Sequence, residues 1–289
     1  MYHGNLGAQF VNAFLPRPVP VLWNVRHSVY NLDFEKKTTA WMIRLSARLS
    51  NKPAKILFNS SVSAAQHQNL GFVKEKQTMI PNGFDTNIFS PSEEARLKVR
   101  QELGLPSSSI LIGLIGRYHP MKDHGNFIRA AALISRTYPE LHFLLAGTNV
   151  DTTNTELTNL IESLNLGGKV HLLGEREDVN RLTASLDIAS SSSFTEASSN
   201  TIGEAMACAV PCVATDVGDS GAVIADTGLV IPPRNSEALA SAWKELLNMG
   251  FEGRKKLGAK ARDRILNHFS IEKIVSQYET LHKSFLNGA

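Results

Sequence analysis

Two short stretches of this chain concentrate side chains that could do chemistry. In FTEASSNTIGEAMACAVPCVATDVG, at 194–218, Glu196 and Glu204 are separated by seven residues, with Ser198, Ser199 and Asn200 between them. A Ser/Asn cluster ahead of a helix-prone run marks a helix N-terminus. Its unpaired backbone N–H groups form an anion site. One glutamate would precede that terminus and the other would lie a turn inside the helix. Carboxylates only accept hydrogen bonds, so they suit sugar or ribose hydroxyls and repel phosphate. Glu204 has an equally good structural reading, as an acid complementing the helix dipole.

The second stretch is GRYHPMKDHGNF, at 116–127, directly after the apolar run ILIGLI. Arg117 offers a planar fork of donors and Lys122 a point charge, a match to a diphosphate. A solvated basic loop is the alternative for either residue alone. Asp123 reads as the N-cap of the next helix. His119 and His124 flank the loop without further ligands, a weak basis for a metal site, and no metal is expected.

The elements that must position these residues follow from periodicity. From about residue 110, short apolar runs alternate with amphipathic stretches. ILIGLIGRY, LHFLLAG, KVHLLG, DIASSSS, VPCVATDV and GLVIPP read as strands. Residues 125–138, 155–164, 178–185 and 200–208 read as helices. Nearly continuous apolar strands bounded by Gly, Asp or Pro are those of a parallel sheet covered on both faces. Strict β-α alternation predicts a doubly wound sheet, with ligands beyond the carboxyl ends of its strands. Before residue 84 only three strand-like runs occur (PVPVLWNVRHS, AKILFNSS and TMIPNGFD), with helices over 40–49 and 62–70, and Asn82-Gly83 reads as a tight turn. A partial second domain, with a linker near 84–92, is expected. Residues 237–247, 253–268 and 271–286 read as helices. The last repeats apolar residues at Ile274, Tyr278, Leu281 and Phe285, so it must pack on something.

Composition narrows the class. The 289 residues are 43% apolar and 20% charged, with a formal net charge of +3. That balance is globular, and the charge is far below that of a dedicated nucleic-acid binder. Two cysteines, Cys208 and Cys212, in an apolar stretch argue against a disulfide framework or zinc site and for a reducing cytoplasm. Neither a signal peptide nor a run of about 18 apolar residues is seen, so the expectation is a soluble protein, at most peripheral at the inner face of the membrane.

Taken together, these segments resemble the nucleotide-sugar glycosyltransferases of the GT-B fold, specifically the large retaining family 4. IPNGFDTNIF looks like the family's domain-linking segment and IGRYHPMKD like its phosphate-binding loop. FLLAGT and VHLLGEREDVNRLTASLDI are similar to its mid-domain strands, and the paired glutamates followed by EAMACAVPCVATDVG resemble its signature. The likeness runs from about Trp23 onward and is strongest over 80–233. It implies an α/β, GT-B-like fold: a complete doubly wound, Rossmann-like donor domain at 91–270 and a partial N-terminal, acceptor-side Rossmann-like domain at 1–90. A terminal helix at 271–289 would pack back toward the latter. By position, Arg117 and Lys122 match the pair on the donor diphosphate, and Glu204 the glutamate on the ribose. Glu196 matches the residue facing the donor sugar, and Ser199, Asn200 and Thr201 those whose amides meet sugar and phosphate. Residues 173–179, around Gly174, match the wall against the base. His27 in NVRHS, with Arg26 as its rival, matches the family's histidine near the reacting centre. Asn59 and Ser60 match a structural pair.

The resemblance implies sugar transfer from a nucleotide-diphosphate sugar, without a further cofactor or metal, to a glycan or lipid-linked acceptor in polysaccharide, lipopolysaccharide or glycolipid synthesis. Nucleic acid is not an expected partner. Two departures stand out: Ala197 follows Glu196 where glycine is usual, with Ser198 next where an aromatic or small residue is common, and the chain starts at MYHGNLGAQF, similar to a point well inside the family's first domain. A non-catalytic nucleotide-sugar-binding module and a nucleotide-sugar epimerase of the same fold are the alternatives. A nicotinamide dehydrogenase is disfavoured, since no Gly-x-Gly-x-x-Gly follows the first strand of either region.

Overall fold

The computed structural model describes residues 1–286, which divide into two compact units. The first comprises Met1–Gly83, Thr195–Ser198 and the residues from Glu272 onward. It runs α1 (Tyr2–Asn12), β1 (Leu22–Val25), α2 (Lys37–Arg48), β2 (Lys55–Phe58), α3 (Ser61–Asn69) and β3 (Gln77–Met79). The strands form a parallel sheet in the order β1-β2-β3. Trp23, Val25, Ile43, Ile56 and Phe58 fill its core. Ser60 caps α3 by accepting from the Ser63 N–H at 3.1 Å, the structural role expected of it. Asn82-Gly83 is not a turn. The Asn82 side chain instead accepts from Asn59 Nδ2 at 3.1 Å, and the chain turns later, where Asp85 Oδ1 takes the N–H groups of Asn87 and Ile88.

Helix α1 was not legible in the sequence, because it lacks a side-chain N-cap and contains two glycines. A buried hydrogen bond fixes its start. His67 Nδ1 lies 2.7 Å from the Ser63 carbonyl, so it carries the proton, and Nε2 accepts from the Tyr2 hydroxyl at 2.7 Å. Burial holds the His67 pKa down at about 4, against 6.5 for an ordinary histidine. The unfolded chain therefore takes up a proton that the fold resists. Stability should be full above pH 6.5 and decline as the pH falls toward 4, by up to about 3 kcal/mol from this residue. Urea unfolding followed across that window checks this, and His67→Gln should flatten the decline.

The second unit comprises Phe84–Phe194 and Ser199–Ile271. It runs α4 (Glu93–Glu102), β4 (Ile110–Ile115), α5 (His124–Ser135), β5 (Leu141–Ala146), α6 (Thr155–Ser163), β6 (Val170–Leu172), α7 (Val179–Ala184) and β7 (Ile188–Ser191). It continues through α8 (Asn200–Ala207), β8 (Cys212–Thr215), α9 (Ser220–Ile224), β9 (Leu229–Ile231), α10 (Ser236–Asn248) and α11 (Gly250–His268). Six parallel strands lie in the order β6-β5-β4-β7-β8-β9. One face packs Ile112, Phe127, Phe143 and Trp243; the other packs Leu111, Leu144, Ile202, Met206 and Ile265. Neighbouring residues of one strand enter opposite cores, as the continuous apolar runs require.

The unit begins at Phe84 rather than at 91, so 84–92 is not a linker. The Phe84 backbone bonds to Phe269 O and Ile271 N, and its ring fills the space over Gly203, where a Cβ would lie 2.0 Å away. Helix α4 is a second element absent from the sequence reading, though Ser92 followed by two acids is a legible start: its hydroxyl caps the Ala95 N–H at 3.0 Å. Helix α12 (Ile271–Leu286) closes the chain; the rest of the expected segment 271–289 falls outside the described residues. It belongs to the first unit from Glu272, with Ile274 buried and Tyr278, Leu281 and Phe285 half-buried. Arg26 Nη2 donates to the Tyr278 hydroxyl at 3.3 Å.

Candidate functional site

The chain order around β4 fixes where a ligand goes. From β4 the sheet grows to β5 and β6 on one side, then crosses to β7, β8 and β9 on the other. Beyond the carboxyl ends of β4 and β7 the two connections diverge and leave a crevice. Both chemical clusters flank it: Arg117 and Lys122 follow β4, and Ser199 to Glu204 open α8 after β7.

Three contacts join these segments. The Ser192 hydroxyl reaches the carbonyls of Lys122 (2.8 Å) and Asp123 (3.0 Å). The Phe194 N–H donates to Met121 O at 2.9 Å. Beside them, the Thr215 hydroxyl of β8 steadies the segment after β7 by donating to Ser193 O at 2.5 Å. Within the loop, His119 Nδ1 accepts from the Met121 N–H across a short 3-10 turn, Pro120–Lys122. Asp123, at φ +48°, caps α5 by accepting from the Asn126 N–H at 3.1 Å. Arg117 is exposed, while Lys122 is half-buried with its methylenes laid over Gly116. Burial pushes the Glu204 carboxyl above its usual range, and the nearby Lys122 ammonium pulls it back. At the start of α8 the Ser199 hydroxyl meets that of Thr201 at 3.3 Å and does not cap the helix. The cap side chain thus does not compete with an anion for the first-turn amides.

Glycines set the shape of the neighbouring wall. Gly174, at φ +67°, follows β6, and its carbonyl accepts from Gly147 N–H at 2.8 Å. Gly147 has φ +149°, and a Cβ there would lie 2.4 Å from Gly116 O and 2.7 Å from Arg117 N. Gly147→Ala should displace the base of the Arg117 loop and cost about 1–3 kcal/mol in backbone strain alone. A lower urea midpoint, with far-UV circular dichroism unchanged in the absence of urea, is the expected result.

Arg117, Lys122, Gly174, Ser199, Asn200, Thr201 and Glu204 therefore lie along one carboxyl edge. Glu196 and His27 belong to the first unit. Glu196 is half-buried within Thr195–Ser198. His27 follows β1, with Nε2 at 2.7 Å from Glu35 Oε1 and its carbonyl accepting from Ser63 Oγ. Sequence reasoning missed Ser192 and Gly147. The first was hidden in a serine run read only as strand, and the second was taken as a strand end. Among the described residues no group of three His, Cys, Asp or Glu could hold a metal ion.

The family model described as glycosyl transferases group 1 matches residues 109–249. The chain is 30% identical over 215 residues to the N-acetyl-alpha-D-glucosaminyl L-malate synthase of Bacillus anthracis, covering 74% of this chain and 55% of that protein. It is 24% identical over 267 residues to the lipopolysaccharide core biosynthesis mannosyltransferase LpsB of Rhizobium meliloti (strain 1021), covering 88% and 72%. A crystal structure of Anabaena HepE in complex with UDP superposes with a TM-score of 0.88 at 23% identity, over 98% of this chain and 77% of that one, a likeness of fold. The chain spans about half the length of the curated relatives it matches, from 38% to 55% for the first four. The matched residues run from β4 through α10 and include the whole carboxyl edge of a GT-B-type sheet, and over that stretch the chain is similar to the group 1 glycosyltransferases.

Proposed function

We propose that the protein moves a sugar from a nucleotide-diphosphate sugar to a glycan or lipid-linked acceptor with retention of configuration, in the cytoplasm and without a metal or further cofactor. The observation that carries this reading is the convergence of Lys122, Glu204 and the start of α8 at the crevice of the six-stranded sheet. UDP is the nucleotide we favour, because the Anabaena relative in fold holds it.

In this reading Arg117, Lys122 and the α8 amides hold the diphosphate, and Glu204 accepts from the ribose hydroxyls. The base lies against 173–179, and Glu196 faces the sugar. The bond from the anomeric carbon to the β-phosphate oxygen breaks, and the acceptor oxygen bonds to that carbon on the same face. The acceptor proton goes to the departing phosphate. Charge grows on that phosphate, so preorganised cations and amides lower the barrier. His27, oriented by Glu35, is proposed for the acceptor side of the reacting centre. The lipopolysaccharide enzyme of Rhizobium meliloti makes an acceptor of cell-surface glycan synthesis the preferred class.

Calorimetric titration with UDP and with UDP-glucose tests the assignment. Glu204→Ala removes a charged acceptor, worth about 1.5–3 kcal/mol, and should weaken both ligands about 10- to 150-fold. Glu204→Gln, which keeps an acceptor oxygen, should lose less. Glu196→Ala should leave UDP binding near wild type and impair discrimination among intact donors or turnover. Equal losses of UDP affinity from Glu196→Ala and Glu204→Ala would overturn this division of roles.

A further inference from the structure

Helix α2 of the first unit turns a stripe outward that the donor site does not use. Lys37, Trp41, Arg44 and Arg48 are all exposed and fall at i, i+4, i+7 and i+11, one face of the helix. A different face of the helix, with Ala40, Ile43 and Ala47, is buried. Phe34, 79% exposed, and Lys36 stand just ahead of the helix, and the Trp41 side chain is itself 60% exposed. No acid lies within α2; of those before it, Asp33 is exposed and Glu35 is engaged by His27.

Helix α1 packs against α2 and adds apolar surface. Phe10 and Val11 of α1, and Phe14 and Leu15 just beyond its end, are exposed, with the two phenyl rings 4.9 Å apart. Residues 2–15 contain no Asp, Glu, Lys or Arg. The first 83 residues hold ten Lys and Arg against three Asp and Glu, a net +7, whereas the whole chain is only +3. The positive charge is thus gathered in the unit that also exposes the aromatics.

We propose that the outer faces of α1 and α2 dock on an anionic lipid bilayer. The phenyl and indole rings would enter the headgroup boundary, and Lys36, Lys37, Arg44 and Arg48 would lie on the lipid phosphates. An interfacial helix is recognised by this combination of aromatic and basic residues on its outer side, and tryptophan suits the boundary because its ring is apolar and its N–H polar. A second copy docking by the same face would set +7 against +7. A nucleic acid would leave the charge-free side of α1 uncovered. The proposal does not rest on glycosyl transfer.

The test is co-sedimentation of the full chain with phosphatidylcholine vesicles, with and without phosphatidylglycerol, alongside UDP titration. Binding should require the anionic lipid and weaken with added salt. Each basic residue near such a surface contributes about 1 kcal/mol, roughly a fivefold change in partition. Lys37→Glu with Arg44→Glu should therefore reduce binding by more than about 25-fold. Phe34→Ser with Trp41→Ser should also release the protein, and both double variants should keep wild-type UDP affinity. Equal binding to neutral vesicles, or unaltered binding by these variants, would overturn the proposal. So would concentration-dependent self-association that Trp41→Ser abolishes, which would assign the face to a second copy. Loss of UDP binding in the wild-type protein would sink the donor reading and leave the vesicle result standing.

Discussion

Replacing Arg117 and Lys122 together with alanine is expected to lower UDP affinity by at least about 100-fold while leaving the unfolding midpoint unchanged. Charged hydrogen bonds to an anion contribute about 1.5–3 kcal/mol each, and two lost together correspond to two or more powers of ten. The loop keeps its backbone supports without either head group: Arg117 is exposed, and the loop is held by Ser192, by His119 and by the cap from Asp123. Lys122 also restrains the burial-raised Glu204 carboxyl, so its removal should raise that pKa further. Nucleotide affinity of the Lys122→Ala single variant should then rise with pH, as Glu204 ionises and becomes a better acceptor. Near-wild-type affinity for UDP in the double variant would show that the loop is merely a solvated surface.

The largest effect on stability is expected at the opposite, amino-terminal edge of the same sheet. Arg100 is fully buried and pairs with Asp187 at 2.5 Å; its other donors reach the carbonyls of Ser109, Ser185 and Arg96. Asp187 Oδ2 also accepts the Leu111 N–H at 2.8 Å. Arg96 Nη2 also reaches Asp187 Oδ1 at 3.4 Å, so two ion pairs on one carboxylate tie α4 to the starts of β4 and β7. Arg100→Met leaves the buried Asp187 carboxylate with only the longer contact to Arg96 and should cost up to about 3–5 kcal/mol. Adding Asp187→Asn, which removes the charge but keeps an acceptor for Leu111, should recover part of that loss. Denaturant unfolding of the single and double variants measures both. A double variant less stable than Arg100→Met would contradict stranded charge as the cause. Native Arg100→Met should bind UDP normally, because the pair is remote from the crevice.

The second unit was legible because each strand and helix carries its own periodicity and the parallel sheet buries both faces. ILIGLI and LHFLLA show this directly, and the basic loop and paired glutamates sit at strand ends. What escaped depends on partners far away in sequence. Helix α1 is held by the Tyr2–His67 bond across 65 residues, and Phe84 joins the second unit through Phe269 and Gly203. Ser192 acts through the backbone of a loop about 70 residues earlier. The apolar side of α1 carries neither a cap nor a charge to announce a helix.

The bonds from Phe84 to Phe269 and Ile271 bring the two ends of the second unit side by side. Apart from the short excursion at Thr195–Ser198, the backbone enters and leaves that unit at a single doorway. A body whose ends touch can be re-joined there and opened elsewhere with little loop entropy. Residues 84–271 therefore have the geometry of a cassette, suited to circular permutation and to exchange between chains that differ in the first unit.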